Sequence, residues 1–204
     1  MNMNMNNLRT GDIILFNGEE TGILGYFSSL VKFGTHSNYS HVGMIIKDPT
    51  FIHESLKGIY VWESGWEGTK DPEDNKIKLG VQLTPLHEML HNYTKGKIMI
   101  RRIKCENDCF SVQNLKKVHE VIYNKPYDID IIHWILGLLS KDITKQRTNS
   151  FWCSALVGFI YTKCGILNED TDWSILRPSD FSLAGEKINF INGNKLENSE
   201  IRIQ

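Results

Sequence analysis

What this sequence lacks narrows its function first. It has almost no net charge: 23 Lys and Arg against 24 Asp and Glu leave a formal charge of -1. That excludes the broad positive footprint on which nucleic-acid binding depends. It has no apolar run of the roughly 18 residues that a membrane-spanning helix needs. Its longest apolar stretch, Ile129 to Leu139, is interrupted by Asp130 and His133. The polar opening MNMNMNNLRTGD contains no apolar signal segment, so a cytoplasmic setting with reduced thiols is expected. None of the glycine-containing loops carries a phosphate-cradle or dinucleotide signature, and no cofactor is expected.

What is present describes an ordinary globular chain. With 204 residues, 41% of them hydrophobic and 23% charged, it is large enough for one core and too apolar for disorder. The Met/Asn-rich start predicts a disordered tail over residues 1-8, with a single domain over 9-204. Ile13 to Phe16, His41 to Ile46, Ile59 to Glu63 and Lys97 to Ile103 read as strands. Tyr26 to Phe33 reads as a short helix, and so does Pro85 to Asn92, with Thr84 as its N-cap. Ser111 to Tyr123 has helical periodicity. Cys153 to Cys164 is the clearest helix, with Ala155, Leu156, Phe159 and Ile160 on one apolar face and Gly165 as its stop. Trp66 to Lys78 is a polar loop, and the final ENSEIRIQ reads as a tail or edge strand. Strands gather in the first half and helices in the second, which predicts an α+β domain.

Two residues stand where chemistry is favoured. Cys153 opens its helix, where the positive end of the helix dipole favours thiolate and free backbone N–H groups face the sulfur. His41 opens an apolar strand after a polar loop, so its ring can enter a cleft while the strand packs. A Cys–His pair needs a third polar group to orient the imidazole. Glu63, at the end of the next strand, is the best candidate.

The same residues carry a resemblance. TGDIILF (Thr10 to Phe16), SHVGMII (Ser40 to Ile46), FWCSALV (Phe151 to Val157) and LRPSDF (Leu176 to Phe181) resemble, in order, the motifs of the permuted NlpC/P60 papain-like superfamily. That superfamily includes YiiX/YycO-like proteins, a poxvirus group and the lecithin:retinol acyltransferase group. His precedes Cys here, which is the permuted order. The resemblance implies an antiparallel sheet carrying the histidine, a packed helix carrying the nucleophile, Cys153 as that nucleophile and His41 as its base. It implies a polar third residue on the following strand, which Glu63 fits. His53 and Glu54 match the spacing of the acyltransferase group and remain the alternative. Tyr127 resembles an aromatic that borders the substrate in this family; it also fits a core tyrosine.

Two other patterns compete. His87-Glu88-Met89-Leu90-His91 matches the H-E-x-x-H arrangement of zinc proteases, but a catalytic zinc needs a third protein ligand. Glu106 and His119 lie on other elements, and no metal is expected. Cys105 and Cys109 form C-x3-C without a second pair and read as incidental. Cys164 lies at the far end of the Cys153 helix.

The expected activity is therefore cysteine-dependent acyl transfer on an amide or ester, as a peptidase-like hydrolase. A lipid-directed acyltransferase or thioesterase, or a binding protein with a residual site, are the alternatives. The expected partner is a small peptide, amide or acyl-lipid substrate, with a peripheral membrane contact in the lipid case. Nothing in the sequence specifies an oligomeric state.

Overall fold

The computed structural model describes residues 5–18, 39–93, 96–105, 108–128, 148–185 and 188–203. The expected helix at Tyr26 to Phe33 and the apolar stretch Ile129 to Leu139 lie outside them. In chain order the strands are β1 (Ile13–Asn17), β2 (His41–Lys47), β3 (Ile59–Gly65), β4 (Gly80–Pro85), β5 (Lys97–Arg101), β6 (Ile103–Lys104), β7 (Lys195–Leu196) and β8 (Ile201–Arg202). Among the described residues the helices are α1 (Leu86–Asn92), α2 (Val112–Ile122) and α3 (Cys153–Lys163). The architecture is α+β. Six strands form one antiparallel sheet in the order β4-β3-β2-β1-β5-β8, and β6 pairs with β7 beside it.

The strands are apolar on both sides because both faces of the sheet are covered. Ile13, Leu15, Val42, Met44 and Trp62 pack with α3 and with Leu115, Val118 and Ile122 of α2. Ile14, Phe16, Ile45 and Val61 pack on the opposite face with Leu86 and Met89 of α1. Each such side chain contributes roughly 1.5–3 kcal/mol by leaving water. Leu8 joins the second cluster and is buried, and Met5–Asn7 form a 3-10 turn. Order therefore reaches into the segment assigned to the tail, because its one Leu finds an apolar partner surface.

α3 is buried on every side from Cys153 to Thr162, rather than along one stripe. It lies between the sheet, α2 and a 3-10 turn at Trp173–Ile175. Gly158 permits this approach: a Cβ there would stand 2.7 Å from Leu176 Cδ1 and 2.8 Å from Trp173 Cβ. Gly165, at φ +69, ends the helix in the left-handed conformation that favours glycine.

Three expectations change. Thr84 is not a helix cap; it lies in β4, and Pro85 precedes α1 with no side-chain cap. Lys97 to Ile103 is not one strand, because the chain passes from the main sheet into the β6–β7 pair at Arg102. β4 and β7 are additional strands. The polar loop after β3 is pinned rather than loose. Lys70 bridges Ile77, and buried Lys78 reaches Asp71 at 2.7 Å and Asp74 at 3.0 Å. Glu73 meets His119 of α2 at 2.8 Å.

Candidate active site

The sheet opens where the candidate residues meet. β1 and β2 remain paired as far as Phe16 and His41, and β3 and β4 as far as Gly65 and Gly80. Between β2 and β3, however, the register ends at Met44 and Trp62. His41 is thus held by β1, and Glu63 by β4, with a gap between the two strands. Their side chains close that gap: His41 Nε2 lies 2.5 Å from Glu63 Oε2. The second carboxylate oxygen, Oε1, accepts from Thr84 Oγ1 at 2.6 Å. Glu63 is wholly buried, while 12% of the His41 side chain is exposed. One edge of the ring can therefore be reached from outside.

Two glycines make the space. A Cβ on Gly43 would lie 2.5 Å from Val61 Cγ1 and 3.5 Å from Glu63 Cβ. A Cβ on Gly65 would sit 3.4 Å from His41 Cε1 and 3.5 Å from Glu63 Oε2. A glycine inside a strand often marks such a close approach. The ring of Phe16 lies 5.3 Å from that of His41 and supports its inner face.

Cys153 arrives from the other side of the sheet, at the first position of α3. Its approach is fixed by β3 itself. Ser64, the neighbour of Glu63, points to the opposite face and donates to the carbonyl of Phe151 at 2.5 Å. Phe151 N–H donates to Pro126 O at 3.1 Å, and Ser154 Oγ donates to Leu176 O at 2.6 Å. These contacts lock the residues on both sides of Cys153. The Cys153 thiol lies close enough to the His41 ring to bias its protonation. Nε2 faces Glu63, which leaves Nδ1 as the ring's other nitrogen.

The electrostatics follow from this placement. Burial works against the imidazolium of His41. Hydrogen bonds to Cys153 and Glu63, and the charges those groups carry, outweigh it and hold His41 well above its ordinary value. The ring thus favours its charged form, flanked by a carboxylate and a thiol able to become thiolate. Backbone N–H groups at the start of α3 have no partner within the helix and face the same end.

The other sequence candidates fall as follows. His53 and Glu54 are exposed on the turn between β2 and β3, where His53 Nδ1 meets Ser55 Oγ at 2.7 Å. Glu63, not that pair, is brought to His41. Tyr127 is half-buried, and its backbone bridges Phe151 in parallel, two residues before Cys153. His87 and His91 are exposed on α1, and His87 lies 4.0 Å from Glu88. Among the described residues, no group of three or more His, Cys, Asp and Glu is arranged to hold a metal ion. Thr84 and Ser64 were missed. Alternation in GVQLT, with Val81 and Leu83 on one side and Gln82 and Thr84 on the other, is the signal for the first.

Neither a family model nor a curated protein matches the sequence. Among solved structures, the chain is similar to the crystal structure of metalloprotein yiiX from Escherichia coli O157:H7, DUF1105. The two are 24% identical with a TM-score of 0.48, and the match covers 76% of this chain and 66% of that one. This chain therefore spans just under two thirds of that protein's length. No helix among the described residues is long and apolar enough to cross a membrane.

Proposed function

We propose that this protein is a cysteine-dependent hydrolase of the circularly permuted papain-like type, acting on an amide or ester bond. The observation that carries the reading is the His41 ring held between Cys153 and Glu63. In this scheme His41 takes the thiol proton, and the Cys153 thiolate attacks the substrate carbonyl carbon. The resulting oxyanion is held by N–H groups at the start of α3, an effect worth about 10²–10³ in rate per donor. His41 then protonates the leaving amine or alcohol, and a thioester remains on Cys153. Water, deprotonated by His41, attacks that thioester; the acid departs and the thiol is restored. Glu63 fixes the ring and balances its positive charge. No metal and no organic cofactor enters this scheme.

The test is a screen of peptide amides, fatty acyl thioesters and phospholipid esters, with the Cys153→Ala variant as control. Turnover of at least one class, abolished in the variant, is the expected result. Turnover that survives in Cys153→Ala, or its absence for every class, would overturn the reading.

A further inference from the structure

A cleft of about 680 Å³ lies at the far end of β2 from His41. It is formed by the segment before β1, the end of β2 and Arg102, the residue between β5 and β6. His41 and Lys47 are the two ends of one seven-residue strand, so roughly 20 Å of extended chain separates this cleft from the candidate active site. Three cations line it, Arg9, Lys47 and Arg102, with one carboxylate, Asp48. The cleft thus holds a surplus of two positive charges in a chain whose formal charge is -1. Its volume is that of a small-molecule site.

The acids near these cations are engaged elsewhere. Asp12 ties the two arginine-bearing segments together: its Oδ2 accepts from Arg9 N–H at 2.9 Å and its Oδ1 from Ile103 N–H at 3.4 Å. Asp48 Oδ1 accepts from Gly58 N–H at 2.7 Å. Among the described residues, none of the three cations is ion-paired with a carboxylate. Arg102 Nη2 reaches only the Asn7 carbonyl, at 3.5 Å, and its Nε is buried with no hydrogen-bond partner. A buried donor without an acceptor is costly, so an acceptor brought to this guanidinium gains what the fold leaves unmet. Thr10 Oγ1 accepts from Lys47 N–H at 3.0 Å, which leaves its own hydrogen free to donate. We propose that this cleft binds the phosphate monoester of a small soluble molecule, with Arg102, Arg9 and Lys47 neutralising the dianion. The two forked guanidinium groups suit a phosphate's several oxygens, and Lys47 adds a point charge. The proposal is independent of the chemistry assigned to Cys153.

The test is calorimetric titration of the full-length protein with glycerol 3-phosphate at about pH 7.5, where a monoester with a second pKa of about 6 is a dianion. Saturable binding with a Kd of about 1 mM or tighter is expected, and none with glycerol. Arg102→Gln and Lys47→Gln are each expected to weaken it at least about tenfold, as the loss of a charged hydrogen-bond donor implies. Lys104→Gln, exposed and outside the cleft, is expected to leave it unchanged. A parallel arm offers phosphatidic acid vesicles in place of the soluble ester. A wild-type Kd weaker than about 1 mM would overturn the proposal. So would binding undiminished in both cleft variants, equal weakening in Lys104→Gln, or capture by the vesicles without binding of the soluble ester. Lys47 is exposed, so its variant keeps the test open even if Arg102→Gln fails to fold.

Discussion

His41 and Glu63 meet at 2.5 Å in the part of the sheet where β2 and β3 no longer pair. Backbone hydrogen bonds would ordinarily fill that gap. Here two side chains fill it, and one of them also reaches Cys153. The break in the ladder and the candidate chemistry thus occupy the same place.

Replacing Glu63 with Gln removes a charge that holds the imidazolium. His41 is expected to titrate at lower pH in Glu63→Gln than in the wild type, as read from its ring protons by NMR. The stability implied has a definite sign. It is complete below the unfolded histidine value of about 6.5 and is lost as pH rises through the higher folded value. An unchanged midpoint would show that Glu63 does not govern the ring. Because His41 and Cys153 interact, the measured midpoint belongs to the pair.

Thr84 holds the other oxygen of the same carboxylate. Thr84→Val keeps the shape and removes the donor, leaving a buried oxygen unpaired. A loss of about 1–3 kcal/mol in denaturant unfolding is expected. Thr84→Ser, which restores a hydroxyl, is expected to recover most of it. Equal losses in both variants would point to packing instead.

Asp12 gives an independent test of the buried frame. It is fully buried and accepts from the backbone of Arg9 at 2.9 Å and Ile103 at 3.4 Å. Burial dominates those contacts and raises it from 3.8 to about 6. The folded state therefore binds this proton more tightly than the unfolded state. Relative to Asp12→Asn, the wild type is expected to lose about 3 kcal/mol as pH rises from about 4 to above 6. A stability difference independent of pH would contradict this.

Much of the site was legible because its parts are local. Cys153 at a helix start, His41 at a strand start and Glu63 at the end of the following strand each carry their own pattern. The choice between Glu63 and the His53–Glu54 pair stayed open in the sequence, and the structure brings Glu63 to His41. Thr84 was obscured because Pro85 and the helix after it make Thr84 look like a cap. The split at Arg102 leaves no trace, since the apolar pattern runs on while the chain changes sheets. The Ser64–Phe151 tether spans 87 positions and has no local signal.

The most direct measurement is the rate of Cys153 alkylation by iodoacetamide at neutral pH, in the wild type and in His41→Gln. In the wild type, Cys153 is expected to react at least about tenfold faster than Cys105, and His41→Gln is expected to remove that advantage. A Cys153 that reacts no faster than Cys105, at a rate indifferent to His41, would contradict the assignment of a thiol activated by His41.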